Sequence, residues 1–224
     1  MPLYTIGHSN HSPEAFLALL QQHGITALAD VRSHPYSRYL PHFSQSTLKA
    51  LLVDAGIRYV FLGKELGARP QDPDCYDHQG KATYEKIAAT SLFQQGLERL
   101  LEGTQTHAIA LMCAEKDPLN CHRAILVCQH LRSHQPNIQH ILSDGSLEPH
   151  ATLETRLLQK HKLLPKPEPA ESQLSLFADL SEASDLSAGS TDEATSTSEA
   201  ALQIAYRLQG AAIAYVETPE ASDG

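Results

Sequence analysis

The stretch HAIALMCAEKDPLNCHRAILVCQHLRSH, residues 107–134, decides the fold. Its first seven residues are mostly apolar, as in a buried strand, and this run ends at Cys113. Asp117 and Pro118 then supply residues that favour the start of a helix, and the motif CHR (121–123) lies in the predicted first turn. The stretch therefore predicts a strand followed by a helix, with two cysteines and a histidine at the junction.

Short apolar runs alternate with amphipathic runs about five times along the chain. Examples are LYTIGHS before PEAFLALLQQHG, TALADVR before SQSTLKALLVDAG, and NIQHILSDG before PHATLETRLLQ. This alternation is typical of a sheet with helices on its faces. For residues 1–164 we predict a Rossmann-like α/β fold with a mostly parallel sheet of about five strands and helices on both faces. The turn-rich segment between Gly63 and Ala82 is predicted to be a long loop.

The C-terminal part of the chain differs in composition. Residues 1–165 carry 15 basic and 15 acidic side chains, so the formal net charge of −9 lies in residues 166–224. This part is rich in Ser, Pro and acidic residues and has too little apolar surface to offset chain entropy. We therefore predict that residues 165–224 form a mostly disordered tail, with a short helix in the partly amphipathic segment 201–217.

Composition also restricts the compartment and the partners. No stretch is long and apolar enough to cross a bilayer, and the N-terminus lacks the regions of a signal peptide, which predicts a cytoplasmic protein with no membrane contact. The four cysteines are then expected to be reduced. The balanced charge of residues 1–165 argues against broad attraction to nucleic acid but allows a local basic cleft.

Polar residues follow the predicted strands. In an open parallel sheet, ligands bind outside the carboxyl ends of the strands. The residues expected at those ends are Gly7, His8, Ser9, Asp30, Arg32, Gly63, Glu65, Cys113, Glu115 and Asp144. Each has an ordinary structural explanation, such as a turn or a local ion pair. Their convergence on one edge favours a functional cleft.

Several motifs in a fixed order carry a family resemblance: TIGHS at 5–9, DVR at 30–32, an LG-containing segment at 62–67, LMCAE at 111–115 and CHR at 121–123. With them the chain resembles the DUF488 family of bacterial and archaeal proteins over roughly residues 1–160. The resemblance implies a compact α/β domain with these motifs as its signature, and it implies no activity. Cys75 and the tail lie outside the pattern.

The CHR motif suits a reactive thiol or an anion site. A thiol in the first turn of a helix, beside Arg123, is stabilised as a thiolate, and the free N–H groups of the same turn suit an anion. The sixth residue after Cys113 is Leu119 and not arginine, so the anion loop of cysteine phosphatases is absent. The zinc deaminase motifs are absent too. Cys128, within an apolar run, is interpreted as a core residue.

These patterns assign roles at the strand ends. The predicted catalytic residues are Cys113, Glu115, Cys121, His122 and His8, and the predicted substrate-binding residues are Ser9, Asp30, Arg32 and Arg123. Arg32 and Arg123 would hold phosphate, while Glu115 or His8 would transfer protons. Cys113 or Cys121 would be the nucleophile.

The spacing predicts no bound cofactor. The alternative is zinc or iron, bound by Cys113, Cys121 and His122 together with His8 or with the Cys75/His78 pair. We disfavour it because adjacent ligands seldom both reach one ion.

The tail carries a second motif. Its residues Gln173, Leu174, Ser175, Leu176 and Phe177 resemble the peptide by which bacterial DNA polymerases and repair proteins bind the sliding clamp. The apolar side chains would enter a preformed groove while Gln173 forms a hydrogen bond at its edge. The alternative is a segment that packs back on the domain.

Together these features predict a DNA-associated enzyme of hydrolase type that acts on a nucleotide or nucleic-acid group and is tethered to the clamp by residues 173–177. The alternative is a noncatalytic adaptor that binds a ligand or a metal through the same cleft.

Overall fold

Six strands form one sheet in the computed structural model, which describes residues 2–135, 137–164 and 190–217. They are β1 (Leu3–Gly7), β2 (Ala27–Asp30), β3 (Arg58–Phe61), β4 (Ile109–Cys113), β5 (Ile138–Ile141) and β6 (Leu147–Pro149). Their order is β3-β2-β4-β1-β5-β6, and every neighbouring pair is parallel except β5 with β6. The predicted mostly parallel α/β sheet is confirmed, with β6 as an added antiparallel edge strand.

Helices connect the strands: α1 (Pro13–Gln22), α2 (Gln45–Asp54), α3 (Gly63–Leu66), α4 (Tyr84–Ala88), α5 (Ser91–Thr104), α6 (Gln129–Leu131), α7 (His150–Lys160) and α8 (Ser190–Ile213). A π-helix, Arg123–Cys128, leads directly into α6. The segment predicted as a long loop after Gly63 contains α3 and a 3₁₀ turn, Pro73–Cys75, so that prediction is wrong in part.

Local sequence signals start several of these elements. The Ser12 hydroxyl accepts a hydrogen bond from the Ala15 N–H at 3.2 Å, and Pro13 occupies the first turn of α1. The Asp117 carboxylate accepts from the Leu119 N–H at 3.0 Å and begins a 3₁₀ turn, Pro118–Asn120. Capping therefore positions the segment that joins β4 to the π-helix.

The core has two layers, one on each face of the sheet. Met112 of β4 packs with Phe16 of α1 and Leu48 of α2 on one face. Leu111 and Cys113 of the same strand face the layer that contains α5, the π-helix, α7 and α8. Because successive strand residues point to opposite faces, Cys113 lies on the side covered by the π-helix.

Helix α8 belongs to the α/β domain. Leu202, Ala205 and Tyr206 are buried in the core, and the Tyr215 carbonyl accepts from the Ala82 N–H at 2.8 Å. The helix predicted within 201–217 is confirmed and is longer than expected. The boundary at residue 164/165 is wrong for residues 190–217, because apolar residues at helical spacing add a stripe to the core.

The clamp-like segment 173–177 lies outside the described residues. Among the residues that the structure describes, no helix combines the length and the apolar character needed to cross a membrane.

Candidate functional site

The site lies where the strand order reverses. β1 and β4 are neighbours, with Gly7 opposite Cys113, but the chain leaves β1 towards β2 on one side and leaves β4 towards β5 on the other. Such a reversal opens a crevice at the carboxyl ends of the strands. The His8 N–H donates to the Cys113 carbonyl at 2.8 Å, and the Ser9 N–H donates to the Ala114 carbonyl at 2.9 Å. The segments after β1 and β4 therefore run side by side into the crevice.

Gly7 permits this close approach. A Cβ atom at position 7 would lie 1.9 Å from the carbonyl oxygen of Glu115. Only glycine leaves room for the backbone after β4 to cross the end of β1. The glycine of the TIGHS motif thus places Glu115 at the site.

Four of the predicted catalytic residues form one cluster, Cys113, Glu115, Cys121 and His122, which we call the Cys-Glu-Cys-His cluster. The donor atoms of the four side chains all lie within 4.8 Å of one another. One Glu115 carboxylate oxygen, Oε2, lies 3.0 Å from the Sγ atom of each cysteine. His122 Nδ1 lies 3.6 Å from the Cys113 Sγ atom. The cluster thus joins the end of β4 to the start of the π-helix.

Backbone geometry brings the adjacent residues Cys121 and His122 to the same cluster. Cys121 is extended, with φ −135° and ψ 138°, whereas His122 is helical, with φ −60° and ψ −25°. The change of conformation between them turns both side chains to one side. The expectation that adjacent residues would not reach one centre is therefore wrong here.

Arg123 lies beneath the cluster and not in the cleft. Its guanidinium is fully buried and donates to the carbonyl oxygens of Glu115 at 2.7 Å and Lys116 at 3.3 Å, and to the Thr5 hydroxyl at 3.3 Å. The predicted role in binding substrate is therefore wrong. The CHR segment was predicted to lie in the first turn of a helix; it leads into the π-helix, and the layer containing α7 and α8 covers it.

The two thiols of the cluster differ in acidity. Burial raises the pKa of a thiol, but in Cys121 the hydrogen bond with Cys113 and the charge of Arg123 outweigh burial and hold the pKa well below its usual range. The pKa of Cys113 is raised, first by its hydrogen bond with Cys121 and then by burial. The two thiols are therefore not equivalent, and Cys121 forms a thiolate more readily than Cys113.

The other ionisable groups respond to this thiolate. Burial lowers the pKa of His122, but the hydrogen bond and charge of Cys121 outweigh burial, so the net shift is upward. The pKa of the Glu115 carboxyl is raised, by burial first and by Cys121 second. The four groups of the cluster therefore influence one another's protonation above the buried Arg123 guanidinium.

The cluster opens into a cleft of about 380 Å³. Among the predicted residues, His8, Arg32, Cys113, Glu115 and His122 line the cleft. Further lining residues that the sequence did not indicate are His34, Tyr36, Arg69, Tyr84, Ile213 and Tyr215. Cys121 is only 1% exposed and lies just below the floor.

Arg32 has few hydrogen-bond donors left for a ligand. Its Nε and Nη2 atoms donate to the Asp30 carboxylate at 2.9 and 2.7 Å, Nη2 also donates to the Phe43 carbonyl at 2.9 Å, and Nη1 donates to His8 at 3.3 Å. These bonds use four of the five N–H groups of a guanidinium. Asp30 is fully buried, so it holds Arg32 in place and does not bind substrate as predicted.

His8 also supports Arg32. Because arginine can only donate, the Nε2 atom of His8 accepts, and its Nδ1 atom donates to the Ser9 carbonyl at 2.9 Å. Burial and the charge of Arg32 lower the pKa of His8 to about 4, so the ring is neutral at pH 7. With both ring nitrogens engaged, His8 orients Arg32, and the predicted proton transfer has no support in this geometry.

Arg69 is the cation that sequence analysis missed. Its guanidinium lies 4.3 Å from the centre of the Tyr215 ring and forms no ion pair within the part of the chain that the structure describes. Arg69 follows the end of β3, where a charged residue could have been selected by the strand-end rule. No sequence pattern indicated Tyr215 as a cleft residue, because it is distant in sequence from the other cleft residues and lies in a segment predicted as tail.

Other residues expected at strand ends lie outside the cleft. The Ser9 hydroxyl donates to Asn10, Glu65 pairs with Arg99, and Asp144 accepts from Ser146 in the turn between β5 and β6. Ser9 was predicted to bind substrate; it is not among the residues that line the cleft and its hydroxyl contacts Asn10, so its role in binding stays a prediction.

The remaining cysteines are core residues. Cys75 and Cys128 are buried among apolar side chains, and burial raises the pKa of each thiol. The core interpretation of Cys128 is confirmed.

Comparison with known proteins gives one match. The family model described as "Domain of unknown function DUF488" matches residues 12–129. This span includes Arg69 and the whole Cys-Glu-Cys-His cluster. No curated protein and no solved structure matches the chain.

Proposed function

Since the chain belongs to the DUF488 family, whose description assigns no activity, we propose its function from the cleft. The protein is a hydrolase-type enzyme that binds an anionic group of a nucleotide or nucleic acid, and residues 173–177 tether it to the bacterial sliding clamp. One observation carries the proposal: Cys113, Glu115 and His122 of the Cys-Glu-Cys-His cluster and the Arg69 side chain line the same cleft.

Cationic groups in the cleft support an anionic ligand. Arg69 stacks on Tyr215 and forms no ion pair with any residue that the structure describes, and Arg32 retains one N–H on Nη1. A guanidinium matches the geometry of phosphate and carboxylate oxygens. Because Asp30 already neutralises Arg32, Arg69 supplies most of the attraction.

Exposed aromatic side chains favour a nucleotide or nucleic acid over a small anion. Tyr36 is 73% exposed and lines the cleft, and Tyr39 on the same loop is 88% exposed. Arg38 lies between them in the sequence. Exposed aromatic rings beside cations are the features on which single-stranded bases stack.

Burial of the thiols favours water as the nucleophile. Cys113 and Cys121 are 3% and 1% exposed, so neither can approach a phosphate group held between the walls of the cleft. Glu115, in contrast, is exposed as a residue at the mouth, although its carboxylate is partly desolvated where it contacts both thiols. We therefore assign attack to a water molecule held beside Glu115, and the thiol nucleophile expected from the sequence is set aside.

Oligonucleotide binding and hydrolysis test this proposal. We expect the full chain to bind a fluorescent single-stranded DNA in an anisotropy titration, with affinity falling at least tenfold in Arg69→Gln and in Tyr36→Ala, since one stacked base contributes about 1–3 kcal/mol. Phosphate or base release from a panel of nucleotides and oligonucleotides measures turnover, which Glu115→Gln should abolish.

Arg58→Gln is the matched control, because Arg58 is exposed at the opposite, amino end of β3. Equal loss of affinity in Arg58→Gln and Arg69→Gln would mean that only net charge matters and would contradict the cleft. Binding with no turnover on any member of the panel would favour the noncatalytic adaptor.

A further inference from the structure

The Cys-Glu-Cys-His cluster has the composition of a transition-metal site. We propose that Cys113, Cys121, His122 and Glu115 bind one zinc ion. Binding itself is independent of the proposed function, whereas any use of the ion to activate water rests on that function.

The donor spacing fits a tetrahedral shell. Zinc bonds of about 2.0 Å to N or O and about 2.3 Å to S place neighbouring donors roughly 3.3–3.8 Å apart. Here the Cys113 Sγ atom lies 3.6 Å from His122 Nδ1 and 3.0 Å from Glu115 Oε2, and Cys121 Sγ lies 3.0 Å from the same carboxylate oxygen. All four donor atoms lie within 4.8 Å of one another, so shifts of about 1 Å would bring them to the spacing of a tetrahedral zinc shell.

The second nitrogen of His122 supplies an independent observation. Its Nε2 atom lies 3.0 Å from the carbonyl oxygen of Val31, which can only accept a hydrogen bond. Nε2 therefore carries a proton, and Nδ1 is the nitrogen that faces the cluster. Histidines that bind metals typically donate their other ring N–H to a carbonyl or carboxylate in this way.

The buried charge of Arg123 gives a third argument. This guanidinium is fully buried, and its hydrogen bonds go to neutral oxygens of Thr5, Glu115 and Lys116. Within the described residues it has no salt bridge with a carboxylate. A buried charge requires a compensating charge nearby. The thiolate form of Cys121 beside Arg123 can supply it without a metal. Two thiolates and one carboxylate around Zn²⁺ carry a net charge of −1, so Arg123 would balance the loaded site as well.

The donor types select the metal. Thiolate ligands disfavour Mg²⁺ and Ca²⁺, which prefer oxygen, whereas a mixed set of S, N and O donors in a tetrahedral arrangement suits Zn²⁺. Glu115 is the one exposed member of the four. Its position is therefore the one that a water molecule from the cleft could take, as at open catalytic zinc sites.

Neither His8 nor the Cys75/His78 pair joins this group of donors. The sequence-based alternative had the three ligands Cys113, Cys121 and His122, and Glu115 completes the set.

Metal analysis of the full chain tests the inference. Protein purified without chelator, or reconstituted with zinc chloride and desalted, should contain close to one zinc per chain by mass spectrometry. Cys121→Ser and His122→Ala should reduce the zinc content at least fivefold. Cys128→Ala, which removes a buried thiol outside the cluster, should retain it.

Cobalt provides a readout that does not depend on activity. The chain loaded with Co²⁺ should show thiolate-to-metal charge transfer and the intense visible bands of tetrahedral cobalt, and Glu115→Gln should shift the visible bands. Because Glu115 is exposed, this variant keeps the test valid if a cysteine variant does not fold. A reconstituted chain without zinc, or zinc content unchanged in folded Cys121→Ser, overturns the inference.

The outcomes separate the two proposals. Stoichiometric zinc without oligonucleotide binding or turnover would leave the metal site and remove the proposed function. Turnover that persists in a chain stripped of metal would leave the function and remove the use of zinc to activate water, whereas the zinc content of the reconstituted chain alone decides whether the site binds the ion.

Discussion

At the residue scale, Gly7 and His122 show how single positions shape the site. Gly7 provides space for the Glu115 backbone at the end of β1, and the Nε2–H group of His122 is anchored on the Val31 carbonyl. Each acts by fixing where another group of the cluster lies.

Replacing Gly7 with alanine should damage the cluster. The added methyl group would lie 1.9 Å from a backbone oxygen, so the segment after β4 must shift, and overpacking of this kind costs about 1–3 kcal/mol. We expect the urea unfolding midpoint to fall and zinc retention to weaken.

Gly103→Ala in α5 is the control for this substitution. There the added methyl group meets only the terminal methyl group of Ile109, at 2.9 Å, and alanine favours helix by about 1 kcal/mol relative to glycine. The prediction is wrong if Gly7→Ala unfolds at the same urea concentration as Gly103→Ala.

At the element scale, α8 completes both the core and the cleft. Tyr206 donates to Glu154 at 2.9 Å and lies at the same distance from His150 Nε2, and Gln209 donates to the Leu119 carbonyl at 2.8 Å. After the helix, Tyr215 forms part of the cleft wall. Helix α8 therefore contacts both α7 and the 3₁₀ turn that precedes Cys121.

Removing residues 165–224 should destabilise the domain. The sequence predicted this part to be a mostly disordered tail, but Leu202 and Tyr206 are buried, and burying such side chains contributes about 1.5–3 kcal/mol each. We expect the chain ending at residue 164 to melt at a markedly lower temperature than the full chain.

A chain ending at residue 217 is the control, since it keeps α8 and Tyr215. Equal melting temperatures for the chains ending at 164 and 217 would show that α8 does not contribute to the stability of the core.

A histidine pair between β5 and α7 should make stability depend on pH. His140 Nε2 lies 3.0 Å from His150 Nδ1, with Tyr206 and Glu154 on the far side of His150 and Arg132 nearby. Burial and the charge of Arg132 lower the pKa of His150 to about 4, and burial and His150 lower the pKa of His140 well below its usual range. Both rings are therefore neutral in the folded chain near pH 7.

The sign of the pH effect follows from these pKa values. Below pH about 6.5 the unfolded chain binds protons that folded His150 does not bind, so stability is full above that pH and falls towards pH 4. His150 alone would account for about 3 kcal/mol across this window. Urea midpoints between pH 7.5 and 4.5 measure it.

The His150→Gln variant should reduce the slope of stability against pH, whereas His78→Gln, at an exposed position, should retain it. A slope unchanged in His150→Gln would contradict the assignment.

At the scale of the whole molecule, the segment 173–177 links the α/β domain to its proposed partner. The segment joins α7 to α8 along the chain, with residues 165–189 outside the described part. Binding to the clamp would place the cleft near DNA that the clamp encloses. This tether is our main reason for preferring a nucleic-acid substrate over another anion.

A peptide covering residues 168–182 should bind the bacterial sliding clamp at micromolar strength, about −8 kcal/mol. Leu174, Leu176 and Phe177 would enter an apolar groove with Gln173 at its edge, so Phe177→Ala or Gln173→Ala should weaken binding at least tenfold in a calorimetric titration. Ser175→Ala is the matched control, because position 175 makes no assigned contact. In the full-length protein, Leu176 and Phe177 are then both replaced by alanine. If this variant still copurifies with the clamp, residues 173–177 are not the clamp-binding segment.

The sequence by itself determined the fold class and much of the cluster. The spacing of apolar residues and the helix-capping residues are local signals, and they predicted alternating strands and helices. The same signals placed Cys113, Glu115 and the CHR motif at and after the end of β4. The carboxyl-end rule for parallel sheets then selected His8 and Arg32 as neighbours of that strand end.

Only the tertiary structure decided which of these groups meet and what each one faces. The turn between Cys121 and His122 brings both side chains to Glu115, whereas the packing of α7 and α8 over the π-helix buries Arg123 away from the cleft. The contact of Arg69 with Tyr215 joins segments almost 150 residues apart. Such contacts depend on how distant elements pack, and no local periodicity or spacing along the chain encodes them.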